Sequence, residues 1–194
     1  MLSVRVTDLL DVDGPNPWRT QSSRVVFENE QLRLCQDDVI QPDGVPGDYV
    51  YLSLPWPIVA VVPLDDEGHV YLVRQWRYPW QQNSWEIPAG HSEPNESPLE
   101  GARRELAEET GLQAAQWEAL GSGYSSAAFS TRYHLYLARG LTPVVAAHHR
   151  DGAEDDLIAR RIPLSTALDA AIDGRIVHGM TVIGLLRTAR RLGV

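Results

Sequence analysis

The chain contains 194 residues with a mass of 21.6 kDa, enough for one domain with a buried core and an elaborated end. Its 17 basic side chains are all arginine, and its 26 acidic side chains give a net charge of −9 at pH 7, so nucleic acid is not expected as a partner. The absence of lysine excludes a lysine Schiff base and a P-loop lysine, and a single cysteine excludes an internal disulfide and a multi-cysteine metal site.

The amino terminus lacks the pattern of an export signal. Acidic residues and prolines stand where a secretory signal needs a basic and then an apolar stretch. No apolar run approaches the roughly 20 residues of a membrane span. We therefore expect a soluble, cytoplasmic protein with no membrane partner.

Strand-like runs separated by turn residues follow this amino-terminal arm. The predicted strands cover residues 24–27, 32–40, 48–54, 58–64, 70–74, 85–89, 117–121, 132–138 and 157–162. The sequence Asp-Asp-Glu-Gly at 65–68 is typical of a turn and predicts a hairpin between 58–64 and 70–74. Helical patterns at 164–172 and 180–192 complete an α/β (α+β) arrangement.

One helix has clear start and stop signals in the sequence. Ser97 is the predicted N-cap, Pro98 the first helical residue and Glu100 the partner in a capping box. Gly111 ends the helix. The apolar stripe consists of Leu99, Ala102 and Leu106.

The same helix carries three carboxylates on one face. Glu105, Glu108 and Glu109 have the spacings i, i+3 and i+4. Like charges at this spacing destabilise a helix, whereas clustered carboxylate oxygens suit a hard cation such as Mg²⁺. The alternative is an acidic face in contact with solvent, with Arg103 and Arg104 as local partners.

The spacing around these carboxylates matches a family motif. From Gly90 the chain reads Gly-x5-Glu-x7-Arg-Glu-Leu-x-Glu-Glu-x-Gly-Leu, ending at Leu112. This is the complete box of the Nudix hydrolases, which the chain therefore resembles. The resemblance implies an α/β/α sandwich with a mixed sheet. It also implies cleavage of nucleoside diphosphates linked to another group, with Mg²⁺ or Mn²⁺ as the cofactor.

The resemblance implies roles for residues of the box. Glu105 and Glu109 are the expected main metal ligands, and Glu109 is also a catalytic candidate. Glu108 and the backbone carbonyl of Ala89 are expected to complete the metal site. The structural residues of the box are Gly90, Glu96, Arg104 and Gly111. Of these, Gly90 allows a tight turn, and Arg104 is expected to pair with Glu96 or Glu100.

A second acidic cluster lies downstream, in the sequence Arg-Asp-Gly-Ala-Glu-Asp-Asp at 150–156. In the ADP-ribose-cleaving branch of the family, a loop glutamate in this region positions or deprotonates the attacking water. Glu154 and Asp155 match that position best, and Glu154 is preferred. The alternative is an acidic loop without a catalytic role.

Residues upstream of the box resemble the ADP-ribose and nucleoside-diphosphate-sugar pyrophosphatases. The matching segments are Arg-Gln-Trp-Arg at 74–77 and Trp-Glu-Ile-Pro-Ala-Gly at 85–90. By this match Arg77 contacts the diphosphate, because a planar guanidinium can bind two phosphate oxygens. Arg74 is the second candidate, and Glu86 is expected to contact the metal or the ribose.

One loop departs from that branch. Residues 124–130 read Tyr-Ser-Ser-Ala-Ala-Phe-Ser, with alanine where the branch has proline and glycine, so the loop is expected to lose a rigid turn. Another nucleoside-diphosphate sugar, or a broad range of substrates, therefore stays open. The remaining alternatives are a housecleaning enzyme for nucleoside triphosphates and a nucleotide-sensing module without catalysis.

We expect the chain to consist of two parts, with the boundary between residues 54 and 55. Residues 1–54 are expected to form an arm and a β extension that contacts a second copy, and residues 55–194 the Nudix domain. In the resembling branch such an extension joins a dimer, so a homodimer is expected.

Overall fold

The computed structural model describes residues 14–144 and 156–194. The chain divides into two compact units, with the boundary between Ser53 and Leu54. No helix in the described ranges is long and apolar enough to cross a membrane.

The first unit contains a three-stranded antiparallel sheet. Its strands are β1 (Arg19–Glu28), β2 (Arg33–Ile40) and β3 (Pro46–Ser53), in the order β1-β2-β3. Every residue of the edge strand β1 is exposed. The exposed residues include Val25, Val26 and Phe27, so β1 presents apolar side chains on both of its faces.

The second unit contains two sheets and, in its described part, three α-helices. The strands are β4 (Ile58–Pro63), β5 (His69–Arg77), β6 (Gln82–Glu86), β7 (Ala89–His91), β8 (Leu112–Tyr124), β9 (Arg132–Pro143) and β10 (Ile158–Pro163). The helices are α1 (Pro98–Thr110), α2 (Leu164–Ile172) and α3 (Gly179–Leu192). One sheet has the order β7-β4-β9-β8 and the other the order β10-β5-β6. The first is mixed, because β4 and β9 are parallel and its other pairs are antiparallel.

The central strand β4 is covered by helices on both faces. Val59 and Val61 pack with the apolar stripe of α1, whereas Ala60 and Val62 pack in the cluster that contains Leu185 of α3. Alternate residues of a strand point to opposite faces of its sheet. The predicted α/β/α sandwich with a mixed sheet is therefore confirmed.

Helix α1 begins and ends at the predicted residues. The Ser97 hydroxyl accepts a hydrogen bond from the Glu100 backbone N–H, and the Glu100 carboxylate accepts one from the Ser97 N–H. Gly111 ends the helix with φ 73°, a left-handed conformation that favours glycine. Strand β8 then begins at the next residue, five residues before the predicted strand 117–121.

The predicted hairpin between residues 58–64 and 70–74 is wrong in its pairing. β4 and β5 belong to different sheets, and an isolated bridge between Leu64 and Val70 joins them across the turn. The Asp65 carboxylate closes this turn locally by accepting two backbone hydrogen bonds. β4 is buried on both faces and pairs with the distant β9 instead.

The predicted strand 85–89 is divided in two. β6 ends at Glu86 and β7 begins at Ala89, each in a different sheet. The break falls at Pro88. Proline has no backbone N–H for the hydrogen bonds of a sheet, and it restricts the backbone conformation of the residue before it. The Pro88 carbonyl accepts a hydrogen bond from the Val61 N–H at 2.9 Å. The break thus carries the chain from one sheet to the other just before the box.

Candidate active site

Gly90 and Glu105 lie in contact where β7 meets α1. A Cβ atom on Gly90 would collide with the Glu105 carboxylate. Glu105 is 7% exposed, so its carboxylate is confined between the helix and the strand. The glycine allows a helix carboxylate to lie directly against the backbone of β7.

Glu109, one turn further along α1, is held against the same strand. Its Oε2 accepts a hydrogen bond from the Ala89 backbone N–H at 3.2 Å, and the residue is 4% exposed. The sequence predicts a metal contact for the Ala89 carbonyl, and the hydrogen bond here involves the N–H of that residue. The two expected main metal ligands are therefore both buried beside β7.

Arg104 is the cation that pairs with this group of carboxylates. Its Nη1 donates to Glu105 and Glu108 at 2.8 Å each, and its Nε and Nη2 donate to Glu96 at 3.2 Å each. Burial acts to lower the pKa of Arg104, but the hydrogen bonds to Glu96 and the charge of Glu105 raise it above its usual value. Arg104 thus stays charged and offsets the repulsion between the carboxylates, while Glu100 closes the capping box.

Glu105 and Glu109 offer the carboxylate oxygens that Mg²⁺ and Mn²⁺ prefer. Within residues 14–144 and 156–194, no group of three or more His, Cys, Asp and Glu side chains is arranged to hold a metal ion. Mg²⁺, however, commonly keeps several waters and binds through one or two carboxylates together with substrate phosphates. The buried pair fits a partly open site of that kind rather than an all-protein cage.

Arg77, at the end of β5, forms a bidentate pair with Glu86 of β6. Its Nε and Nη2 donate to the two carboxylate oxygens at 2.8 and 2.7 Å. Burial acts to raise the pKa of Glu86, but the hydrogen bonds and the charge of Arg77 lower it below its usual value. Glu86 is therefore ionised and fixes the orientation of a guanidinium that is about one-third exposed.

Arg74 does not share the face of β5 that carries Arg77. The two residues are three positions apart on a regular strand, so their side chains point to opposite faces. Arg74 is aligned with Trp85 in β6, and its Nε is buried without a hydrogen-bond partner in the described part of the chain. The structure thus brings Arg77 and Glu86 together and leaves Arg74 apart, and a diphosphate contact by Arg74 stays a prediction.

The loop after β8 forms a hydrogen-bonded turn without the expected proline and glycine. The Ser126 hydroxyl accepts from the Ala128 N–H at 3.2 Å, and the Ser126 carbonyl accepts from the Phe129 N–H at 3.2 Å. Serine hydroxyls often stabilise such turns. The loss of a rigid turn expected from the sequence is thus compensated in part by Ser126.

Glu154 and Asp155 lie outside the described residues. Asp156, which follows them, accepts a hydrogen bond on Oδ2 from the Trp76 backbone N–H at 2.9 Å. Trp76 immediately precedes Arg77 in β5. The chain just after the two predicted acids is therefore anchored beside Arg77.

Two residues at the start of α3, His178 and Thr181, also belong to this region and were not predicted from the sequence. His178 Nδ1 lies 3.2 Å from Glu86 Oε2 and 2.9 Å from Thr181 Oγ1, and Thr181 is fully buried. The available signal in the sequence was a pair of polar residues, three positions apart, in an otherwise apolar helical stripe. That signal cannot identify Glu86 as the partner, since Glu86 lies far away in the sequence.

Comparisons with known proteins agree with the fold and the box. Residues 54–175 match the model of the NUDIX domain. Residues 18–52 match the model of the nucleoside diphosphate sugar hydrolase N-terminal domain. A solved structure described as the crystal structure of ADP compounds hydrolase superposes with a TM-score of 0.81 at 22% identity, covering 93% of this chain and 97% of that one.

Several curated relatives cover most of the chain. The ADP-ribose pyrophosphatase of Mycobacterium tuberculosis is 36% identical over 87% of this chain and 82% of its own length. The ADP-ribose pyrophosphatase of Bacillus subtilis is 33% identical over 72% and 75%, respectively. The methanol dehydrogenase activator of Bacillus methanolicus is 35% identical over 86% and 90%. The chain therefore belongs to the Nudix family, in its ADP-ribose pyrophosphatase branch, and is a Nudix pyrophosphatase.

Proposed function

We propose that the protein uses Mg²⁺ or Mn²⁺ to hydrolyse the diphosphate linkage of ADP-ribose or a related nucleoside-diphosphate sugar. The products are a nucleoside monophosphate and a sugar phosphate. The proposal rests on the buried pair Glu105 and Glu109, held beside β7. Support for the substrate class comes from the relatives in Mycobacterium tuberculosis and Bacillus subtilis that are named ADP-ribose pyrophosphatases.

Glu105 and Glu109 would hold the metal, with Glu108 and the Ala89 carbonyl as further candidate ligands. A bound divalent cation offsets phosphate charge and makes a water more acidic. Burial keeps the two carboxylates ordered, and the Ala89 N–H fixes Glu109. Arg104 reduces the repulsion between the carboxylates when no cation is bound.

Arg77 would bind the diphosphate of the substrate. The protein has no lysine, so arginine is its only strong cation for phosphate. Glu86 occupies one edge of the Arg77 guanidinium, which limits the directions in which the group can approach an oxygen. A direct contact of Glu86 with ribose or metal stays a proposal.

The base that activates the attacking water would be Glu154, with Asp155 or Glu109 as the other candidates. The hydrogen bond between Asp156 and the Trp76 N–H supports a base in this loop, because it holds the residue that follows Glu154 and Asp155 beside Arg77.

The test of the base compares the rates of Glu154→Gln and Asp155→Asn with those of the wild type from pH 5 to 9. A loop base predicts that one variant loses the acidic limb and about 100-fold in kcat. Two unchanged profiles would contradict a loop base.

We also propose that the protein is a cytoplasmic homodimer that contacts its second copy through residues 1–54. The apolar side chains on the edge strand β1 support this surface. Residues 55–194 then carry the hydrolase domain. Nucleic acid and membranes are not proposed as partners.

The test is hydrolysis by the purified protein with Mg²⁺ of ADP-ribose, ADP-glucose, GDP-mannose, NADH, diadenosine polyphosphates and nucleoside triphosphates. We expect the highest kcat/KM with ADP-ribose or another nucleotide sugar, and loss of activity on chelation. Glu105→Gln should lower kcat by about 100-fold or more. Glu100→Gln is the matched control on α1, because glutamine also supports a capping box.

Other outcomes would assign the protein differently. Faster release of pyrophosphate from nucleoside triphosphates would favour a housecleaning enzyme. Binding of nucleotides without any turnover would favour a sensing module. Activity of Glu105→Gln near that of the wild type would contradict the metal assignment.

A further inference from the structure

His178 lies at the end of a series of polar contacts that begins at Arg77 and passes through Glu86. The residue directly precedes α3, and its side chain is 12% exposed. The Trp80 ring lies beside the imidazole, with the ring centroids 6.1 Å apart. Nδ1 is 3.2 Å from Glu86 Oε2 and 2.9 Å from Thr181 Oγ1. Among the described residues, the charged groups that act on this imidazole are Glu86 of β6 and Arg77 of β5.

The hydrogen-bond chemistry determines which way the His178–Glu86 contact points. An ionised carboxylate can only accept hydrogen bonds, so the 3.2 Å approach of Nδ1 to Glu86 Oε2 requires a proton on Nδ1. That proton lies between Glu86 and Thr181 Oγ1, which is 2.9 Å from Nδ1. Burial lowers the pKa of His178 below its usual value, which favours the neutral imidazole. Thr181 Oγ1 accepts a hydrogen bond from the Ile87 N–H at 2.9 Å, which ties the same corner of α3 to the residue after Glu86.

The Glu86 carboxylate therefore has polar neighbours on two sides, Arg77 on one and His178 on the other. Oε1 accepts from Arg77 Nε at 2.8 Å, and Oε2 accepts from Arg77 Nη2 at 2.7 Å as well as facing His178. Glu86 is 1% exposed, so water does not replace a missing donor readily. Without His178 Nδ1, the carboxylate would keep the charged donor Arg77 but would lose its polar neighbour on the side of α3, so it could rotate together with the guanidinium.

We propose that His178 is a positioning residue for substrate binding, because it fixes the Glu86 carboxylate that orients the Arg77 guanidinium. The inference rests on the proposed contact between Arg77 and the substrate diphosphate. It makes the start of α3 part of the substrate-binding apparatus, although His178 itself need not touch the substrate. Replacement of His178 is therefore expected to weaken substrate binding and alignment, and to leave the metal site on α1 unchanged.

Three substitutions of His178 separate positioning from a general role in stability. Asn places an amide near the position of Nδ1 and can donate to Glu86, whereas Gln places its amide near Nε2. Phe keeps the ring and removes the donor. We expect the KM for the best nucleotide sugar to rise about 10-fold in His178→Phe and His178→Gln, as for loss of one hydrogen bond to a charged group. His178→Asn should restore a KM within about threefold of the wild type, and kcat should change less than KM throughout.

Thermal unfolding is measured for each variant, together with His134→Phe as a control. His134 is a half-buried histidine of β9, and it is not among the hydrogen-bond partners of Glu86 or Arg77. A lowered Tm with an unchanged KM in His178→Phe would overturn the positioning role. An equal rise in KM for the Asn, Gln and Phe variants would overturn it as well, since the donor would then not matter.

Arg77→Gln separates this inference from the proposed function. If Arg77→Gln raises KM at least as much as His178→Phe does, both statements are supported. If Arg77→Gln raises KM and His178→Phe does not, the inference is wrong and the Arg77 contact stands. If the wild type is active and Arg77→Gln leaves KM unchanged, the Arg77 contact is wrong and the inference falls with it.

Discussion

The Glu105 carboxylate occupies space that a side chain at position 90 would need. Alanine at Gly90 would force Glu105 or β7 to move, since the added Cβ would collide with the carboxylate. We expect Gly90→Ala to lower kcat by about 100-fold, because a shift of about 1 Å in a catalytic group can have an effect of that size. The measurement is steady-state turnover with Mg²⁺, together with circular dichroism to confirm that the protein is folded.

Gly14→Ala is the matched control for this change. A Cβ on Gly14 meets no atom within 4 Å, and its φ is not in the left-handed region. It should leave kcat within about twofold of the wild type. Full activity of Gly90→Ala would mean that Glu105 can leave β7 without loss, and its burial would then not matter for catalysis.

The residues of the box could be placed from the sequence because their geometry is local. Helical spacing alone puts Glu105 and Glu109 on one face, and the structure buries both. The pair Arg77 and Glu86 required the register between β5 and β6, and His178 required the docking of a distant helix. Contacts of this second kind depend on tertiary packing. Arg77 and Glu86 were therefore predicted as site residues but not as partners of each other, and His178 was not predicted.

At the scale of elements, α1 depends on its N-terminal cap. The Ser97 hydroxyl accepts from the Glu100 N–H, which would otherwise have no intrahelical partner. We expect Ser97→Ala to lower the free energy of unfolding by about 1 kcal/mol, as measured by urea denaturation. Because the carboxylates lie later in the helix, kcat should stay within about threefold of the wild type.

Ser165→Ala is the comparison for this change. Ser165 is exposed in the first turn of α2 and forms no cap, since that helix has no side-chain capping hydrogen bond. Its replacement should change stability by less than about 0.5 kcal/mol. Equal effects of the two substitutions would mean that the capping box contributes nothing specific to α1.

The positions of several elements were predicted well from local signals, whereas the pairing of strands with distant partners was not. α1 and α2 follow the predicted bounds, because caps, proline and apolar periodicity act within a few residues. The hairpin between 58–64 and 70–74 was wrong because β4 pairs with β9, whose sequence lies about seventy residues later. Turn residues at 65–68 fix a reversal of the chain, but they do not fix which sheet each strand joins.

At the scale of the whole molecule, the exposed apolar residues of strand β1 contrast with the net negative charge of the chain. An edge strand with unpaired backbone groups and apolar side chains on both faces can pair with another chain. β1 has ten residues, all exposed. In a chain with a net charge of −9, the exposed residues Val25, Val26 and Phe27 of β1 are the expected site of self-association, since their burial brings no like charges together.

We therefore expect the wild type to have twice its chain mass of 21.6 kDa in solution, as measured by sedimentation equilibrium. Val25→Asp combined with Phe27→Asp should give monomers, because it places like charges where apolar area would be buried. Ile172→Asp, on an α2 residue that is 74% exposed, is the control and should remain dimeric. A monomeric wild type would contradict the homodimer. A double variant that keeps the dimer mass would place the interface away from β1, and dissociation of Ile172→Asp alone would move it to α2.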